Sequence, residues 1–311
     1  MVANKDIVNK IYEDLTAIKC KVRIVSATHI DEIHNEVQER RNDGSLDLDF
    51  YEEYKEFFES KAEAYFGKIH SIFIIAHPHP ATEVIFNSDT LPFPLLIPPT
   101  YLDGREIIDK LEELLSKMLE LGGYHVAFAR IPVKTLAVHS GLAKYGKNNI
   151  TYVPGMGSFH RLSAYYSDLQ ITKDYWTDLR AMELCKNCSA CVNNCPTQAI
   201  PTDRFLLRAE KCITYHNEQP SEIPFPEWID PSWHNCLIGC LICQKICPAD
   251  KKYLKWVENG PEFTSEETNL LLTSVEMDNL PLNTQEKIKA IGLDEYYEYI
   301  SRNLGVFLQS K

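Results

Sequence analysis

Nine of the ten cysteines fall between Cys185 and Cys247, at intervals that suit a shared inorganic ligand. The first run is Cys185-x2-Cys188-x2-Cys191-x3-Cys195-Pro196, followed by Cys212, Cys236 and then Cys240-x2-Cys243-x3-Cys247-Pro248. Such x2 spacings wrap the backbone around a 4Fe–4S cube so that three of its irons are met locally, while the cysteine before proline reaches across to a second cube. Cys185, Cys188, Cys191 and Cys247 form one predicted set. Cys195, Cys240 and Cys243 belong to the other, completed by Cys212 or Cys236. A pair of structural zinc sites is the alternative, since zinc also takes four thiolates. The absence of any Cys-x-x-Cys-His from the sequence excludes covalent c-type haem. Cys20, in Cys20-Lys-Val-Arg-Ile-Val25, reads as a small core residue of a strand.

A second chemical signal lies upstream, in Leu136-Ala-Val-His-Ser-Gly141-Leu-Ala-Lys-Tyr-Gly146-Lys147-Asn148-Asn149. Gly141-x4-Gly146-Lys147 nearly spells a phosphate-binding loop, but such loops need Ser or Thr next to hold magnesium, and Asn148 stands there. Nucleotide hydrolysis is therefore not expected. Gly155 and Gly157 would let backbone approach a ligand closely, although turn geometry alone also calls for them. Tyr145, His139, His125 and Tyr124 are candidate proton donors near this segment, histidine being the one that titrates near neutrality. His77 and His79 are weaker metal-ligand candidates, and His160 reads as a loop histidine.

These groups must be positioned by ordinary globular structure. The 311 residues are 44% hydrophobic and 24% charged, which fits a packed chain of about two domains. Helix-spaced Ile7, Ile11, Leu15 and Ile18 precede a strand at Val22–Val25. Tyr51–Phe66 reads as a charged helix, Ser71–Ala76 as a buried strand, and Ile107–Met118 as an amphipathic helix stopped by Gly122-Gly123. Tyr124–Val133 is predicted to be extended. The proline-rich pieces His77–Pro80 and Pro92–Pro99 read as irregular loops. The predicted organisation is α+β: residues 1–180 a layered α/β domain, 181–255 a double 4Fe–4S ferredoxin-like domain, and 256–311 an acidic helical tail. That tail holds four basic and ten acidic side chains, half of the net charge of −12, and reads as a solvated helical cap. No apolar run reaches the ~20 residues of a membrane span, and the N-terminus lacks the apolar core of a signal peptide. A cytoplasmic protein is expected, in which thiols bind metal rather than pair as disulfides. The acidity disfavours nonspecific nucleic-acid or membrane binding.

Taken together, Leu-Ala-x-x-Ser-Gly141-Leu-x-x-x-Gly146-Lys147-Asn148, Gly157-Ser158-Phe159, Asp168, the first cysteine run ending in Pro-Thr-Gln-Ala-Ile200, Cys212-Ile-Thr-Tyr215, and Gly239-Cys-x2-Cys243-Gln-x2-Cys247-Pro248 resemble the epoxyqueuosine reductase and reductive dehalogenase superfamily. The match is specific over roughly 130–250. The resemblance implies a nitroreductase-like layered domain that binds a base-off corrinoid (cobalamin), joined to a two-cluster ferredoxin module. It favours Cys212 over Cys236 as the completing ligand. Gly141, Gly146, Lys147, Asn148, Gly157 and Ser158 correspond to loops near the corrinoid. Electrons would come from a donor such as a ferredoxin or flavodoxin and be used to reduce a small organic substrate; an electron carrier or reductive activator of a partner protein is the alternative.

Two departures qualify that expectation. The proton-donating Asp of the tRNA enzyme falls at Ala129 here, in Phe128-Ala-Arg-Ile-Pro-Val133, which makes Tyr145 or His139 the substitute donor. The sequence is also expected to be too short to hold the helical-repeat tail with which longer members help dock tRNA. With the charge of −12, a relative that does not act on tRNA is expected.

Overall fold

A computed structural model describes residues 2–59, 63–88 and 92–309. Its strands, in chain order, are β1 (Lys21–Ser26), β2 (Ser71–Pro78), β3 (Ala81–Phe86), β4 (Phe93–Ile97) and β5 (Val126–Phe128). The two-residue strands β6 (Lys144–Tyr145) and β7 (Thr151–Tyr152) follow, then β8 (His160–Ser167) and β9 (Val257–Phe263). The chain divides into two compact units: residues 1–78, 105–189 and 203–206, and residues 79–104, 190–202 and 207–311.

The first unit is built on an antiparallel sheet of order β1-β2-β8-β5. Its central strand β2 reads Ser-Ile-Phe-Ile-Ile-Ala with every side chain buried, so both faces of the sheet need cover. Phe73 and Ile75 meet Ile11 and Leu15 of the helix Val2–Ala17 and Leu111 and Leu115 of the helix Gly104–Glu120. Ile72, Ile74 and Ala76 on the opposite face meet Ile33 of the helix Ile30–Asn42 and Leu136–Val138 of the helix Val133–His139. Cys20 is buried in the first of these layers, and burial pushes its thiol up to about 12. The predicted helix Tyr51–Phe66 includes residues 60–62, outside the described residues; before them it is two short pieces, Leu48–Glu53 and Lys55–Phe58. The extended stretch predicted at Tyr124–Val133 shrinks to β5, because Pro132 opens a helix at Val133.

The second unit has a sheet of order β4-β3-β9. β4 lies in the Pro92–Pro99 stretch that reads as a loop in the sequence. Pro94 is tolerated because β4 is an edge strand, opposite Ile85, where a missing N–H need not break a ladder. The acidic tail is likewise no solvated cap. Leu271, Ile288, Ile300 and Leu304 pack with Val84, Phe86, Phe93 and Phe263 in a single core. Among the described residues no helix is long and apolar enough to cross a membrane.

Candidate iron–sulfur and proton-transfer sites

The loops carrying the cysteines hold little regular structure, so short turns and side-chain hydrogen bonds set their shape. In the second unit, Cys191 lies on the helix Ala190–Asn194 and Cys243 on the helix Ile242–Lys245, and these two helices pack together. Cys212 immediately precedes the helix Ile213–Asn217. Three members of one predicted set, Cys195, Cys212 and Cys240, stand close enough for their charges to act on one another. Burial, then the neighbouring Cys240, pushes the Cys212 thiol up to about 11, opposed by hydrogen bonds from the backbone and hydroxyl of Thr214. Burial also raises Cys240, which accepts hydrogen bonds from Asn235 Nδ2 at 3.2 Å and from the backbone of Ile242. Thiols crowded together in a partly dry setting lose protons only when a cation shares their charge, and N–H donors to sulfur are what cluster ligands require. These residues fit an iron–sulfur cube.

Cys236 is different. It is fully buried, pairs as an isolated bridge with Leu96, and donates its S–H to Asn235 Oδ1 at 3.3 Å. Burial raises it far above an ordinary thiol, so it is held as a neutral packing residue. Asn235 therefore serves four neighbours, its Oδ1 also accepting from Leu241 N–H at 2.9 Å and its Nδ2 also donating to the Trp233 carbonyl at 3.3 Å. Gly239, beside Cys240, has φ of +71°, and a Cβ there would lie 2.6 Å from the Tyr101 ring. Asn303 Nδ2 donates to the Asn217 and Leu237 carbonyls at 2.9 and 3.0 Å, and Asn217 Nδ2 donates to the Gly239 carbonyl at 2.8 Å. The C-terminal helix Tyr297–Gln309 thus braces the backbone that follows Cys212 and the backbone that precedes Cys240.

In the first unit, Cys185 lies in the turn Glu183–Asn187, and Cys188 follows it. Lys147 Nζ donates to the Cys188 carbonyl at 2.9 Å, tying the glycine loop to the first cysteine run. None of the ten cysteines is in a disulfide.

The six loop residues matched to corrinoid contacts are mostly turned inward. Asn148 accepts from Ile150 N–H and donates to the Tyr152 hydroxyl at 3.0 Å. Gly146 is required because a Cβ would meet Asn148 Oδ1 at 2.4 Å. Ser158 is buried, and Gly157 accepts from His160 Nδ1–H at 3.1 Å. Gly141, with φ of +71°, has open space where a Cβ would project. His160 is locked by that bond and by the Thr151 hydroxyl at 3.2 Å, and burial drops its pKa to about 4.

The two predicted proton donors are linked through a residue the sequence does not advertise. His139 Nδ1–H donates to the Thr177 carbonyl at 2.6 Å, which turns Nε2 to Glu36 Oε2 at 2.9 Å. Glu36 also takes a hydrogen bond from Arg40. Burial favours neutral His139, but Glu36 and the Thr177 carbonyl outweigh it and raise its pKa. Burial would likewise raise Glu36, but His139 and Arg40 hold it below the ordinary carboxylate range. The His139 ring stacks on Trp176 at 4.6 Å, and Trp176 on His29 at 3.9 Å. Tyr145 feels both Glu36 and Arg40; it bonds Thr135 Oγ1 at 3.2 Å, and burial pushes its phenol up to about 12. His125 lies elsewhere, with its ring and backbone N–H both on Asp168 at 2.8 Å. His79 is committed to the Pro80 carbonyl at 3.0 Å. Sequence reasoning missed Glu36, Arg40 and Trp176; Trp176, an aromatic in a polar stretch, is the signal that could have pointed to the cluster.

Residues 184–250 match a family described as a 4Fe-4S double cluster binding domain. Curated relatives are epoxyqueuosine reductases, one from Atelocyanobacterium thalassa at 27% identity over 61% of this chain and 62% of its own length. Another, from Cyclobacterium marinum, is 35% identical over 46% of each chain. The chain is related to the epoxyqueuosine reductases. It spans about half to three fifths of the length of these curated relatives. The epoxyqueuosine reductase structure from Bacillus subtilis shares the fold, with a TM-score of 0.70 and 18% identity over 97% of this chain and 81% of that one. That from Streptococcus thermophilus gives 0.67 and 17%, covering 97% and 80%.

Proposed function

We propose that this chain is an iron–sulfur oxidoreductase that passes electrons through two 4Fe–4S cubes to a corrinoid, which reduces a small organic substrate. The observation that carries the electron-transfer part is the grouping of Cys195, Cys212 and Cys240, with N–H donors on two of the three sulfurs. In this reading Cys185, Cys188, Cys191 and Cys247 hold one cube, and Cys195, Cys212, Cys240 and Cys243 the other. Residues 181–255 are then the electron module and residues 1–180 house the acceptor. The cubes supply single electrons at low potential.

The chain's own contribution is to place protons. His139, whose pKa is raised by Glu36 and the Thr177 carbonyl, is the proposed proton donor, and Tyr145, pushed up to about 12, retains its proton at neutral pH. Support for the corrinoid comes from the shared fold and the loop sequence. The inward-turned Lys147 and Asn148, together with buried Ala129 where the tRNA enzyme has its Asp, favour the second reading, an electron carrier that activates a partner. One structural neighbour is an epoxyqueuosine reductase with a modified tRNA stem loop. The charge of −12 weighs against tRNA as the substrate here.

Titrating anaerobic, reduced protein with cobalamin distinguishes the readings. Saturable binding with a base-off visible spectrum supports the corrinoid enzyme, and no binding at high micromolar corrinoid leaves the carrier.

A further inference from the structure

An acidic chain carries a dense basic segment that lies against the cysteine ligands. From Cys243 to Trp256 there are four lysines (Lys245, Lys251, Lys252 and Lys255) and a single acid, Asp250. All four lysines are exposed, whereas Asp250 is fully buried, so the charge turned to solvent is positive throughout. Among the described residues none of these lysines is in an ion pair. The segment is also ordered rather than loose. Asp250 N–H donates to the Cys247 carbonyl at 3.0 Å, Tyr253 N–H to the Asp250 carbonyl at 2.7 Å, and Trp256 N–H to the Tyr253 carbonyl at 2.8 Å. Between the lysines, Ile246 is 42% exposed, directly beside Cys247. Lys245 is near enough for its charge to act on the Cys240 thiol.

A small apolar contact rimmed by one sign of charge suits a transient partner, because the rim steers encounter while the modest apolar area keeps release fast. We propose that Ile246 and the rim Lys245, Lys251, Lys252 and Lys255 dock an acidic, one-electron redox protein that charges the clusters. This rests on the iron–sulfur reading above. In each encounter one electron leaves the reduced donor, for example a flavin hydroquinone, and one cube passes from the 2+ to the 1+ state. A protein donor is favoured over RNA because this positive charge lies around cluster ligands, where a short electron path is needed, on a chain whose net charge is −12.

The test uses cluster-loaded protein whose iron and sulfide are measured first; a chain holding neither would fail the underlying reading, and the inference with it. Stopped-flow reduction by a reduced, acidic flavodoxin is compared with reduction by photoreduced deazariboflavin, which is uncharged and needs no docking site. The triple variant K251Q/K252Q/K255Q leaves the cysteines and Lys245 in place. Flavodoxin is expected to reduce it about tenfold or more slowly at low salt, in line with steering effects on association, with the deazariboflavin rate unchanged. The parent rate should also fall as salt rises, and the two proteins should converge at high salt. An unchanged flavodoxin rate, or a salt-insensitive parent, overturns the proposal. So does a variant that loses tRNA binding at low salt while its flavodoxin rate holds. If the variant fails to load iron, the salt dependence of the parent alone decides.

Discussion

Replacing Gly239 with alanine probes how tightly the Cys240 loop is held. Two penalties are separable there. At φ of +71° a Cβ strains the backbone, at about 1–2 kcal/mol. The same atom would lie 2.6 Å from Tyr101 Cε2 and 2.8 Å from Cζ and the hydroxyl, and overpacking of that kind costs about 1–3 kcal/mol. Tyr101 has little room to retreat, since its hydroxyl donates to Glu218 and its ring meets Tyr296 edge-on at 5.4 Å. Gly239→Ala is therefore expected to destabilise the protein by about 2–5 kcal/mol. Chemical denaturation under argon, run as a double-mutant cycle with Tyr101→Ala, separates the two penalties. Without the ring, Gly239→Ala should cost only the backbone share of about 1–2 kcal/mol, a coupling of about 1–3 kcal/mol. Equal costs in both backgrounds would refute the steric argument.

Three further outcomes follow from the same geometry. Cys243→Ser should halve the iron from about eight to about four per chain, whereas Cys236→Ser should leave it unchanged; iron analysis of the pair decides. Asn303→Leu strands the Asn217 and Leu237 carbonyls and should cost about 2–6 kcal/mol, at about 1–3 kcal/mol per buried acceptor, measured by denaturation. Glu36→Gln should lower the His139 pKa from its raised value, read by NMR titration of the ring proton, and an unmoved titration would contradict the pairing. In the parent, the Glu36 share of stability is present above the ordinary 4.5 and lost as pH falls through its lowered pKa. The His139 share is present below 6.5 and lost as pH rises through its raised one.

What was legible in the sequence was local. Cysteine ligands announce themselves because a cube fixes their spacing along a few residues, and buried strands such as Ser71–Ala76 announce themselves by composition. The proton site was half visible. His139 and Tyr145 are close in sequence, but Glu36, Arg40 and Trp176 join them only through packing of the helix Ile30–Asn42 and the linker around Thr177. The tail was misread because its ten acids dominate the composition, while the stripe of Leu271, Ile288, Ile300 and Leu304 that buries it is spread over three helices. Pro94 hid an edge strand for the reason that edges tolerate proline. The glycine loop illustrates the opposite limit, since its residues match a motif yet Lys147 and Asn148 bond to groups of the chain itself.

The central claim is that the cysteines between Cys185 and Cys247 hold two iron–sulfur cubes. Metal and acid-labile sulfide analysis of protein purified without oxygen tests it most directly. The account predicts about eight irons and eight sulfides per chain, and about two zinc ions with no sulfide would contradict it.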